Sequence, residues 1–108
     1  MVKYKAPLRE YEFVLREVLQ IERELGSYPE YSEATWDMIE MISEQFGKIN
    51  EDYWLPSAKE GDEVGVTFND GEVVVPETMK KATRVVIDAG LTQLFGHQEY
   101  GGMEFPNV

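Results

Sequence analysis

SEATWDMIEMISEQFGKINEDYWLP, Ser32 to Pro56, is the stretch that decides the fold. Trp36, Ile39, Ile42/Ser43, Phe46, Ile49 and Tyr53 step by three or four, the spacing of one face of an α-helix. Met38 and Met41 thicken that stripe. Ser32 reads as the N-cap, with Glu33 in the first turn, where the positive helix end favours a carboxylate. The helix is expected to reach about Tyr53 and to continue past Leu55, kinked at Pro56, which lacks an N–H and crowds the turn before it. From Glu33 to Tyr53 the rise is about 30 Å at ~1.5 Å per residue. A rod that long in a chain of 108 residues calls for other long helices beside it.

Towards the N-terminus, Pro7 suits the first turn of another helix. Leu8, Tyr11, Val14/Leu15, Val18 and Leu25 fall on one face, with Phe13 and Ile21 off it, which predicts contact on two sides. Gly26 reads as the C′ residue, and Gly26 to Tyr31 as a loop broken by Pro29. Towards the C-terminus, Glu60 to Glu63 reads as an acidic loop. Val64, Val66 and Phe68 alternate, Asn69-Asp70-Gly71 is a turn signal, and Val73-Val74-Val75 follows. The expectation is a short hairpin leaning on a helix, because an isolated one is barely stable in water. Pro76 opens the last main helix, Met79, Ala82/Thr83, Val86 and Ala89 form its stripe with Val85 and Ile87 flanking, and Gly90 closes it. Leu91 to Phe95 would add one turn. The predicted fold is all-α, a small bundle of about three main helices with a short β-hairpin.

Composition sets outer bounds. With 43% hydrophobic and 29% charged residues, the chain has the make-up of a folded domain, not a disordered one. The net charge of −11 makes nucleic acid and anionic membrane surfaces poor partners. Cysteine is absent, which excludes disulfides and thiolate metal sites. No apolar run approaches the roughly 18 residues of a membrane span. No apolar segment follows Lys3 and Lys5 as in a signal peptide, so a cytoplasmic location is expected.

Side chains with chemistry are few. His97 stands beside Gln98-Glu99 without a second His, and reads as a loop residue. Asp52, Glu60, Asp62 and Glu63 do not keep the spacing of a calcium loop. Ser27, Ser32, Ser43 and Ser57 lack the surroundings of a nucleophile, and Gly101-Gly102 lacks those of a dinucleotide fingerprint. Trp36, Phe46, Tyr53 and Trp54 read as core or interface. No catalytic, cofactor-binding or metal-ligating residue is expected in this chain. After Gly90 the chain runs into a loop with Gly96, Gly101, Gly102 and Pro106, a pattern that usually delivers backbone into a further element. On this reading the chain opens a larger assembly.

Three stretches carry a family resemblance. They are Tyr4 to Leu19 (YKAPLREYEFVLREVL), Gly61-Asp62-Glu63-Val64-Gly65 with Asp70 to Ala82 (DGEVVVPETMKKA), and Ala89-Gly90 followed by Glu99-Tyr100-Gly101-Gly102 and Pro106. In this order they resemble the N-terminal helical domain of acyl-CoA dehydrogenases, in the branch with a short N-terminal extension. Leu91 stands where that family usually has Trp, and Glu104-Phe105 where it has Gly-Leu. The resemblance implies one domain over residues 1–108, with 1–31 an extension helix and loop and 32–108 the helical domain proper. It implies part of an FAD-dependent enzyme that desaturates acyl-CoA at the α,β position. In such an enzyme a carboxylate takes the α-proton and the flavin takes the β-hydride, and both lie outside this stretch. Electrons would pass to an electron-transfer flavoprotein, and a homo-oligomer is expected. Whether this chain itself belongs to an active enzyme is left open; FAD would belong to the complete enzyme, with none expected on this chain alone. Carried over residue by residue, the turn Tyr100, Gly101 and Gly102 is the candidate substrate-binding element, feeding one wall of the acyl pocket. The apolar surplus at Phe13, Ile21, Met38, Trp54 and Phe105 would face the missing domains. The alternative is a standalone helical module that binds or dimerises without catalysis, or a small accessory subunit.

Overall fold

The computed structural model describes residues 3–107. Its elements are α1 (Leu8–Glu12), a π-helical turn (Phe13–Val18), α2 (Ile21–Gly26), α3 (Trp36–Ile49), a second π-helical turn (Asn50–Trp54), α4 (Leu55–Glu63), the strands β1 (Thr67–Asn69) and β2 (Glu72–Val74), and α5 (Glu77–Asp88), with short 3₁₀ turns between and after. The architecture is all-α with one two-stranded antiparallel hairpin.

The long rod is present; it starts later than the stripe predicts and, as expected, continues past Leu55. Pro29–Tyr31 forms a 3₁₀ turn, and Ala34 N–H still donates to the Tyr31 carbonyl. Ser32 is therefore inside a turn and is not the cap. Thr35 has extended backbone, and its hydroxyl accepts from Met38 N–H at 3.4 Å. At the far end the rod passes Pro56 through the π turn, in which Leu55 N–H donates to the Asn50 carbonyl five residues back. The wider turn precedes the residue that cannot donate, so the helix continues to Glu63. Residues 60–63 are thus helical and not a loop. Gly61 permits this where α4 meets α5, because a Cβ there would stand 3.3 Å from the Met79 sulfur. The Thr78 hydroxyl donates to the Glu60 carboxylate across the same crossing.

The first helix is broken. Leu19 N–H bonds the Val14 carbonyl in π fashion, and Gln20 then turns left-handed at φ 50°. Such a conformation costs a non-glycine residue about 1–2 kcal/mol. The break re-aims α2 so that Ile21 and Leu25 are buried, which offsets that cost. Tyr11, Val14 and Val18 of the predicted stripe are exposed, whereas Ile21, off that stripe, is core. Gly26 ends α2 with ordinary backbone, and Ser27 caps it by donating its hydroxyl to the Glu24 carbonyl at 2.7 Å.

The buried apolar residues other than Ala82 form two small clusters. Ile21, Leu25, Ala34, Trp36 and Ile39 make the first, at the α2–α3 junction. Ile49, Leu91 and Leu94 make the second, lined by Ile42, Phe46, Tyr53, Trp54, Val85, Val86 and Ala89. Phe105 packs against both. At the N-terminal end Gly47 lets Ala6 lie on α3, and Ala6 N–H donates to the Glu51 carboxylate at 2.8 Å. The last helix follows its expectation, with Glu77 first, Ala82 fully buried and Gly90 left-handed at φ 74° just past the end.

The hairpin turns through Asp70 and Gly71, both at positive φ, in the type I′ geometry that suits right-handed strand twist. Phe68 pairs with Val73. Every residue of both strands is exposed, so the hairpin does not lean on a helix as predicted. The described residues have a radius of gyration of 17.3 Å and extents of 54 × 37 × 17 Å. A compact domain of this length has a radius near 13 Å. The chain is a slab, and its apolar residues are shared between two clusters because no single centre is thick enough to bury them all.

Candidate functional site

Beyond α5 the backbone forms a closed loop on the slab. The 3₁₀ turn Leu91–Gln93 brings Leu91 and Leu94 into the second cluster. A further 3₁₀ turn, Gln98–Tyr100, ends at Gly101, whose φ of 85° reverses the chain. The returning strand is then pinned rung by rung. Gly102 N–H donates to His97 O (3.0 Å), Met103 to Gln93 O (2.9 Å), Glu104 to Gly96 O (2.9 Å) and Phe105 to Leu94 O (2.7 Å). Gly102 lies against the Gly96 backbone so closely that any Cβ on it would overlap the Gly96 carbonyl. Two glycines are required here for different reasons, one by its φ and one by contact.

His97 braces the loop. Its Nδ1 accepts from Glu99 N–H at 3.2 Å, and its Nε2 lies 3.0 Å from Glu104 Oε1. With Nδ1 accepting, Nε2 carries the proton that points at the Glu104 carboxylate. The same carboxylate accepts from Gln98 N–H at 3.3 Å. Glu104 itself sits at φ 51°, a region that favours glycine. Its carboxylate bonds hold it there.

Between this loop and the start of α3 runs a groove of about 320 Å³. Tyr31, Ala34, Met38, Met103, Phe105 and Pro106 supply apolar atoms, and Glu30, Ser32, Glu33, Gln98 and Glu104 the polar ones. That volume is at the small end of the roughly 300–1,000 Å³ of ligand pockets. Three carboxylates and no Lys or Arg line it, so its field repels phosphate. It does not fit a flavin dinucleotide, whose pyrophosphate needs basic or N–H partners. Among the described residues no group of three or more His, Cys, Asp or Glu side chains is placed to hold a metal.

Tyr100, Gly101 and Gly102 stand at the tip of the loop, outside the groove lining, with Tyr100 84% exposed. The groove residues Ala34, Met103, Glu104 and Pro106 were not singled out as a site from sequence. The spacing between the two segments, roughly 70 residues, hides their meeting. Of the apolar surplus, Phe13 is exposed, Met38, Trp54 and Phe105 are half-buried, and Ile21 is core.

Comparison with known proteins covers nearly all of this architecture. A 3-methylmercaptopropionyl-CoA dehydrogenase of Ruegeria pomeroyi is 31% identical over 105 residues, 97% of this chain and 18% of its own length. A butyryl-CoA dehydrogenase of Syntrophomonas wolfei is 31% identical over 92% of the chain and 17% of its own length. A broad-specificity linear acyl-CoA dehydrogenase of Mycobacterium tuberculosis is 28% identical over the full chain and 18% of its own length. The chain is homologous to a segment of acyl-CoA dehydrogenases. It spans less than a fifth of the length of these curated relatives. No family model matches it. The acyl-CoA dehydrogenase likeness therefore extends over both core clusters, the hairpin and the closing loop, and no branch of the family is distinguished by it. No helix among the described residues is long and apolar enough to cross a membrane.

Proposed function

We propose that this chain is the helical, pocket-walling part of an FAD-dependent acyl-CoA dehydrogenase and does not catalyse the reaction alone. The observation that carries the reading is the 31% identity to an acyl-CoA dehydrogenase across 97% of the chain. The complete protein would desaturate an acyl-CoA thioester at the α,β position, with its flavin, its catalytic base and its contacts to an electron-transfer flavoprotein outside these 108 residues. The acidic, phosphate-repelling groove supports a division of labour. This chain would face the acyl portion, with Tyr100, Gly101 and Gly102 shaping the wall, and the CoA nucleotide would be held elsewhere. The complete enzyme would be a cytoplasmic homo-oligomer. The proposed division within the chain sets residues 1–31, as an extension, against 32–108.

Native mass spectrometry of the protein from its own source, with a visible spectrum of the same sample, tests this. The expected result is a flavin-bearing species that contains these 108 residues, either within one polypeptide or bound to another. A colourless monomer or homodimer would overturn it in favour of a standalone binding module. The exposed Phe13 and Val18, on the first helix, are the observation that favours that second reading.

A further inference from the structure

The hairpin is the least explained part of the molecule. Side chains alternate across a strand, so the paired Phe68 and Val73 share one face, with Val66 continuing it just before β1. They are 76%, 68% and 59% exposed. The opposite face carries Thr67, Asn69, Glu72 and Val74. This is an amphipathic ribbon whose apolar side meets nothing, although two strands need cover from a helix or a third strand to be stable.

The surroundings say what can cover it. Between Glu60 and Glu77 the chain carries Glu60, Asp62, Glu63, Asp70, Glu72 and Glu77, and no Lys, Arg or His; Lys59 and Lys80 flank it and pair with Glu63 and Glu77, which leaves Asp62, Asp70 and Glu72 as the carboxylates nearest the hairpin without an ion pair among the described residues. A second copy would bring the same acidic rim, on a molecule of net charge −11, against this one. Like charges set opposite each other in an interface cost several kcal/mol. An anionic lipid surface or nucleic acid is repelled in the same way.

We infer that the apolar face of the hairpin docks on a protein surface with an apolar centre and a rim of Lys and Arg, and that it is not a self-association face. Resting on the dehydrogenase reading, the occupant is the flavin-bearing remainder of the enzyme. The hairpin is then a clasp, with Phe68 as the anchor in a pocket and the acidic rim selecting and steering the partner.

The test is site-specific photocrosslinking of the full chain in the cells that make it, with Phe68→p-benzoylphenylalanine or Val73→p-benzoylphenylalanine, and sequencing of the linked peptides. The expected adduct is a peptide of the flavin-bearing polypeptide with Lys or Arg beside apolar residues. Its yield should fall several-fold when the lysate is irradiated at about 500 mM rather than about 50 mM salt, since screening lengths shrink accordingly. It should fall similarly when the Val73 probe is combined with Glu63→Lys and Glu72→Lys, exposed changes that leave the fold intact. An adduct to a basic-rimmed protein without flavin would keep the docking inference and sink the dehydrogenase reading. Adducts confined to residues 1–108 of the same chain or of a second copy, no adduct at all, or a yield indifferent to salt and to charge reversal would overturn the inference.

Discussion

Trp36 sits where the first core cluster meets charge. Its indole is buried among Ile21, Leu25 and Ile39, and the Arg16 guanidinium lies 4.9 Å from the ring centroid. Arg16 is in turn paired with Glu12 and Glu22. These surface pairs add little, so the hydrophobic loss dominates any truncation. Trp36→Ala is expected to lower stability by about 3–5 kcal/mol in chemical denaturation. A loss below about 1 kcal/mol would place the indole on an outer face. In the closing loop the two adjacent glycines should respond unequally. Gly101→Ala meets open space and costs the left-handed strain alone, about 1–2 kcal/mol. Gly102→Ala drives a methyl into the Gly96 backbone, which cannot yield without breaking the four rungs around it. It should cost clearly more in the same assay; equal losses would mean that the loop opens freely. The pattern Gly-Gly was visible in the sequence. Its reason was not, because contact between residues 96 and 102 depends on how the chain folds back.

At the scale of elements, what could be read from sequence was what local chemistry dictates. Pro76 and Gly90 bound α5, and Asp70-Gly71 makes the type I′ turn, because those residues fix φ themselves. The break at Gln20 carries no such mark. Neither a glycine nor a proline stands there, and the left-handed turn is imposed by burying Ile21 and Leu25. Once the helix breaks, its phase shifts, and the stripe Tyr11, Val14, Val18 ends in solvent. Gly47 was a missed signal, since a glycine inside a strong helical pattern usually marks a close approach. A Cβ on Gly47 would stand 2.7 Å from the Ala6 Cβ. Gly47→Ala gains about 0.8–1.0 kcal/mol of helix propensity but lifts the N-terminal segment off α3. Global stability is expected to change by less than about 1 kcal/mol, while trypsin cleavage at Lys3, Lys5 and Arg9 accelerates. Unchanged cleavage would show that the segment gives way without undocking.

Over its described residues the molecule is 17 Å at its thinnest, about one and a half times the ~10–12 Å of a helix with its side chains. The candidate site was the least legible feature at this scale, since the groove joins residues 30–38 to residues 98–106, and periodicity carries no information about that meeting. Phe105 is the side chain that touches both clusters. Phe105→Ala is expected to cost about 3–5 kcal/mol and to split one thermal transition into two, read by calorimetry. A single sharp transition at lower temperature would mean that the clusters are coupled through α3 instead. The thinness has a consequence for time as well as for shape. No amide lies more than about half the slab's 17 Å from solvent along its short axis, so opening one helix by a single turn admits water to the middle. The free chain should therefore lack the slowest class of exchanging amides that a thick core provides, and α3 should acquire it only when the broad faces of the slab are covered.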